Sequence, residues 1–94
     1  MAKIPIVFED VKQLMRSSGS IAANFIEANE AHTQRERAYR IALCRKECKE
    51  TLLWLRLIRS SIADDKNAID PLIDECTQLF KIFCAISAKY KSIQ

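Results

Sequence analysis

The stretch RSSGSIAANFIEANE, residues Arg16 to Glu30, carries the reading from which the fold follows. Wound as an α-helix it sorts into three stripes. Leu14, Ser18, Ile21, Phe25 and Ala28 alternate at steps of four and three, and Val11 extends the row backwards. That spacing is the seam of a helix packed against a partner. Met15, Gly19, Ala22 and Ile26 make a second stripe of small and apolar residues beside it. Arg16, Ser20, Asn24 and Glu27 fall together on the far side. Gly19, the single glycine of the chain, therefore sits in mid-helix, where it costs about 1 kcal/mol relative to alanine. A glycine kept there predicts the close approach of another backbone. The stretch points to an assembly of helices and not to chemistry.

Ninety-four residues make one domain, 1–94, with room for a small core. Hydrophobic residues are 49% and charged residues 29%, a globular balance that argues against disorder. One Gly and two Pro are too few for a turn-rich β protein. The formal charge of +3 permits an anionic partner without demanding one. Cys44, Cys48, Cys76 and Cys84 lie in apolar helical surroundings with no CxxC pair, which suits reduced core thiols. MAKIPIVF is too short for a signal peptide, and the apolar runs fall short of a membrane span. The expected location is the cytoplasm.

Three helices follow, over approximately 6–31, 33–62 and 70–93. Pro5 suits the first turn of the first helix. Thr33-Gln34-Arg35-Glu36 matches a capping box and starts the second. Ile41, Cys44, Cys48, Thr51, Leu55, Ile58 and Ile62 form the seam of that helix, which ends in the polar stretch Ala63-Asp64-Asp65-Lys66-Asn67. Asp70-Pro71 reads as an N-cap with proline at the first helical position. The third seam is Leu72, Cys76, Leu79, Phe83, Ile86, Tyr90 and Ile93, widened by Ile73 and Phe80. Short connections make neighbouring helices antiparallel, so the fold class is all-α, an up-and-down antiparallel bundle. The second helix has apolar residues to spare: Leu43, Trp54 and Leu57 lie largely opposite its seam, with Leu53 nearby and Glu47 and Glu50 on the same face. A bundle helix needs one buried stripe. Gly19, Leu43, Leu53, Trp54 and Leu57 are therefore the candidate oligomer interface, against the plainer reading of scattered surface apolars.

The tract Gln13 to Ala28, QLMRSSGSIAANFIEA, resembles the signature of a bacterial four-helix-bundle family. Its members include proteins encoded in 23S ribosomal RNA intervening sequences and the accessory variability determinants of diversity-generating retroelements. Tyr39-Arg40-Ile41-Ala42-Leu43, Lys46-Glu47-Cys48-Lys49-Glu50-Thr51 and Trp54-Leu55-Arg56-Leu57 are similar to the family's third helix. The resemblance implies an up-and-down four-helix bundle, assembly as a homopentamer with basic surfaces, and, for the retroelement members, association with a reverse transcriptase and nucleic acid. It implies no enzymatic activity. The family has a long helix ahead of the matched tract, whereas few residues precede Arg16 here. Three helices, equivalent to the family's second to fourth, would then leave an apolar groove for another subunit or a partner.

Between Arg35 and Arg59 eight basic residues stand against three acidic ones. Arg45, Lys49 and Arg56 share a strip with Arg59 near its edge. Arg35, Arg37, Arg40, Arg45, Lys46, Lys49, Arg56 and Arg59 are the candidate contacts to a phosphate backbone of RNA or DNA. The competing account is a solvated helix face. No aromatic residue is expected among them, so base stacking is not expected. Glu27, Glu30, Glu47 and Glu50 lack the Glu-x-x-His pairs of a di-metal site, and the lone His32 falls at a turn. Cys44 and Cys48 lack two further ligands at a recognisable zinc spacing. Neither a metal nor a cofactor is expected, and no nucleophile with a positioned base argues for an enzyme. The stripe Arg16, Ser20, Asn24 and Glu27, which is part of the family signature, is assigned to fixing helix register.

Overall fold

The computed structural model describes the backbone of residues 3–62 and 66–93 and the side chains of 7–62 and 67–91. Three α-helices follow one another: α1 Lys3–Glu30, α2 Gln34–Ser61 and α3 Lys66–Ile93. Each has 28 residues, about 42 Å of helix at 1.5 Å per residue. The molecule measures 51 × 19 × 15 Å. The expected all-α bundle is the observed one.

The turn between α1 and α2 is built on the Thr33 half of the predicted capping box. The Glu36 N–H donates to Thr33 Oγ1 at 3.0 Å, so Thr33 caps α2. Arg37 then reaches back and donates to the carbonyls of Ala28 (3.3 Å) and Ala31 (3.0 Å), which closes the end of α1. The start of α3 differs from expectation. The helix begins at Lys66, so Lys66 and Asn67 are helical and Pro71 lies inside the helix. Asp70 does not sit at an N-cap position. Its carboxylate accepts from the Arg59 guanidinium, and this pair joins the end of α2 to the start of α3. A proline in the second turn removes one backbone bond, and the Arg59 pair together with packing of Ile69 against the core holds that turn. The expected polar residues 63–65 and the side chain of Ile93 lie outside the described residues.

α2 is the centre of the molecule, with α1 and α3 packed on two of its sides. Among the described residues no Cα of α1 comes within 8 Å of one in α3. Phe25 and Phe83 still meet edge to face with ring centroids 6.1 Å apart. Among the described residues α1 and α3 thus flank α2 without their backbones packing on each other, which leaves an open corner between them. The core consists of Ala28, Ile41, Cys44, Cys48, Leu52, Leu55, Cys76 and Phe83, with Leu14, Ile21, Ile73, Phe80 and Ile86 packed against it. Of the extra apolar residues of α2, Leu43 and Trp54 are half-buried, while Leu53 and Leu57 stay exposed.

Two expectations about α1 are corrected. Ser17 is the fully buried member of its inner face, while Ser18 is exposed and Val11 and Phe25 are partly uncovered. The inner face is thus Leu14, Ser17, Ile21 and Ala28, turned by one residue at Ser17 because α1 packs along α2 and touches α3 only through side chains such as Phe25. Gly19 is exposed, and beyond its own helix nothing stands within 4 Å of the place a Cβ would take. Among the described residues no other helix backbone comes within that distance. The stripe it belongs to is turned outward, with Met15 69% and Ile26 60% exposed. On α3, Leu72, Leu79 and Ile82 are likewise exposed, although Leu72 and Leu79 belong to its expected seam.

Candidate functional site

α2 presents a different chemistry on each side. Toward α1 it carries a polar layer. The hydroxyls of Thr51 and Ser17 share a buried hydrogen bond of 2.8 Å, and the carbonyls of Glu47 (2.8 Å from Thr51 Oγ1) and Leu14 (3.3 Å from Ser17 Oγ) complete the pair. Arg16 forms ion pairs with Glu47 (3.5 Å) and Glu50 (3.4 Å) and donates to Gln13 (3.1 Å). The Asn24 amide donates to the Ser20 carbonyl at 2.9 Å and its Oδ1 accepts from Arg40 at 3.1 Å. Glu27 is exposed. Two members of the Arg16, Ser20, Asn24 and Glu27 stripe, Arg16 and Asn24, therefore reach α2, while Ser20 offers its carbonyl to Asn24 within α1. Burial, the hydrogen bond to Glu50 and its charge push the Glu47 carboxyl above its ordinary value, and Arg16 and Lys46 oppose the shift. Glu47 Oε1 is buried without a hydrogen-bond partner.

Within the core, Cys44 donates its thiol to the Ile21 carbonyl (3.6 Å) and Cys76 to that of Cys48 (3.5 Å). Burial first, then the neighbouring thiols, push Cys48 up to about 12. Such groups act as small hydrophobes and not as nucleophiles. Among the described residues no three His, Cys, Asp or Glu side chains gather as a cluster that could hold a metal ion. His32 is exposed in the turn.

The eight basic residues of α2 divide. Arg37 caps α1, Arg40 binds Asn24 and Arg59 binds Asp70, so these three are engaged in the fold. The other five face the α3 side. Arg45, Lys46, Lys49 and Arg56 line an open groove of about 820 Å³ whose apolar floor includes Leu53, Phe80 and Cys84, with Glu50 at its edge. Arg35 and Arg45 line a second groove of about 260 Å³ together with Ala38, Tyr39, Ala42, Ser87, Tyr90 and Lys91. Arg45 belongs to both, so the two form one basic strip along the α2–α3 flank.

Aromatic residues do sit on this strip, against expectation: Tyr39 and Tyr90 line its smaller groove. Tyr39 stands four residues after Arg35 on one helix face, a spacing visible in the sequence. Ser87, Tyr90 and Lys91 have no such signal, because only the antiparallel return of α3 brings its C-terminal turns beside the start of α2. The candidate interface residues scatter. Leu53 floors the larger basic groove, Leu57 is exposed, and Leu43 and Trp54 are half-buried, with the Trp54 Nε1 shielded and lacking a partner.

No helix among the described residues is long and apolar enough to cross a membrane. Comparison with curated proteins and with solved structures finds no match. The family model of the 23S rRNA-intervening sequence protein matches residues 7–85, which take in all of α2, nearly all of the α1 contact face and the core of α3. With that match over most of its length, the chain belongs to the 23S rRNA-intervening sequence protein family.

Proposed function

We propose that this chain is a non-enzymatic bundle protein of the cytoplasm that lies against the backbone of nucleic acid along the α2–α3 flank. The observation that carries the reading is the sorting of the basic residues. Arg35, Arg45, Lys46, Lys49 and Arg56 converge on two adjoining grooves, while the cations spent on holding helices together are elsewhere. Lys91 adds a further positive charge from α3. Cationic side chains along a groove release counterions from each phosphate they neutralise, so binding weakens with salt and is largely indifferent to sequence. Titration of the protein against a generic RNA and a generic DNA at rising salt tests this. Affinity should fall steeply with salt, and replacing Arg45 and Lys49 together by Gln should lessen the slope by about one to two. No binding at low salt, or binding flat in salt, removes the reading.

A second reading rests on the open corner. Met15, Ile26, Leu72, Leu79 and Ile82 are each more than two-fifths exposed on the two helices that flank it. Isolated exposed apolars are ordinary, whereas rows of them along a helix mark an interaction surface. The chain is proposed to complete its bundle there, either with further copies of itself or with a helix of a protein partner such as a reverse transcriptase. Light scattering decides for self-association. A particle of single-chain mass whose Ile26→Lys variant behaves identically rules that form out.

A further inference from the structure

We infer that the groove between Tyr39 and Tyr90 takes an unpaired nucleobase, so that the basic strip selects single-stranded over duplex nucleic acid. The inference rests on the backbone-binding reading and adds to it a base-recognising position.

One buried polar atom in the wall of this groove is an orphan. Ser87 is 7% exposed, its Oγ has no hydrogen-bond partner, and it lines the groove. A buried hydroxyl without a partner is unfavourable, and a serine can serve as donor or acceptor to whatever enters. Tyr39 supplies an aromatic face that is 60% exposed, with the Arg40 guanidinium 5.7 Å from its centroid. Arg40 is itself tied to Asn24, so the ring is backed by an anchored cation. Tyr90 lines the groove from α3. Arg35, Arg45 and Lys91 complete the lining with positive charge. Two rings, a hydroxyl seeking a partner and three cations fit a flat heteroaromatic with polar edges, attached to phosphates. Bases in a duplex are stacked and paired, and cannot be presented in this way. Unpaired bases can, and aromatic side chains are the usual platform for them.

The test is fluorescence anisotropy with four probes of equal phosphate number: a single-stranded RNA, the same sequence as DNA, the DNA with abasic positions throughout, and a duplex of half the length. Each is titrated with the unaltered protein and with Tyr39→Leu, Tyr39→Phe and Ser87→Ala. The single strands should bind about fivefold or more tighter than the abasic strand and the duplex. Tyr39→Leu should remove that advantage and leave abasic binding unchanged, Tyr39→Phe should restore it, and Ser87→Ala should lessen it. Because Tyr39 is exposed, its replacement leaves the core intact. If Tyr39→Leu weakens every probe alike or none, while the Arg45 and Lys49 changes still weaken all, the base position is overturned and the backbone reading stands. If no probe binds at low salt, both fall. Adenosine monophosphate that displaces the strand at equal concentration overturns the strand in favour of a free nucleotide.

Discussion

The α1–α2 contact and the α2–α3 contact share one helix yet hold it by different means. Between α1 and α2 the bonds are directional: Ser17 with Thr51, Arg16 with Glu47 and Glu50, Asn24 with Arg40, and Arg37 across the turn. Between α2 and α3 the contact is mostly shape, with Cys48, Leu52, Leu55, Cys76 and Phe83 in the core and the Arg59–Asp70 pair at one end. Polar groups that must all be paired allow one register, whereas smooth apolar faces tolerate small slides. Arg45, Lys46, Lys49 and Arg56 line the open groove on the flank facing α3, and the ion pairs between helices use other residues.

The largest expected effect breaks the apolar side. Phe83 is 4% exposed and also touches Phe25, so Phe83→Ala should cost about 3–5 kcal/mol of folding free energy, measured by urea unfolding. A loss below 1 kcal/mol would mean that α3 is not held through this ring. Next comes the polar side. Thr51→Val removes a buried hydroxyl that serves Ser17, and should cost about 1–3 kcal/mol by the same measurement. Pairing it with Ser17→Ala should recover much of that loss, since the stranded partner is then gone. Two independent, additive losses would contradict the account of a coupled pair.

A pH titration sharpens the comparison further. The Glu47 carboxyl is raised in the folded protein, chiefly by burial, so the folded state holds its proton to higher pH than the unfolded chain does. Folding stability should therefore fall as pH rises from the ordinary value of 4.5 through the raised one. Glu47→Gln should flatten that part of the curve, and an unchanged slope in the variant would assign it to other groups. The smallest effect is expected at the Arg59–Asp70 pair, which lies near the surface. Arg59→Gln should lower the melting temperature slightly at low salt and hardly at all at high salt. A loss comparable to that of Thr51→Val would show that the pair, and not packing, holds the start of α3.

What the chain alone determined was its rods and their ends. Steps of three and four mark which residues can share a helix face, and Thr33 with Glu36 marks a start, because both signals are local and need no neighbour. Core positions such as Cys44, Cys48, Leu55, Cys76 and Phe83 were legible for the same reason. Proline at 71 misled, since α3 begins one turn further back than its local signals allow, with Ile69 of that turn packed against the core. Tertiary structure decided which side of each rod is covered. Ser17 lies inside and Gly19 outside because α1 packs along α2 and touches α3 only through side chains such as Phe25, a matter of how closely each face is met. It also decided which cations are spent and which are free, and it set Tyr90, Ser87 and Lys91 opposite Tyr39 and Arg35. Residues some fifty positions apart in the chain become neighbours only through the antiparallel return of a helix, and no periodicity within one helix records that.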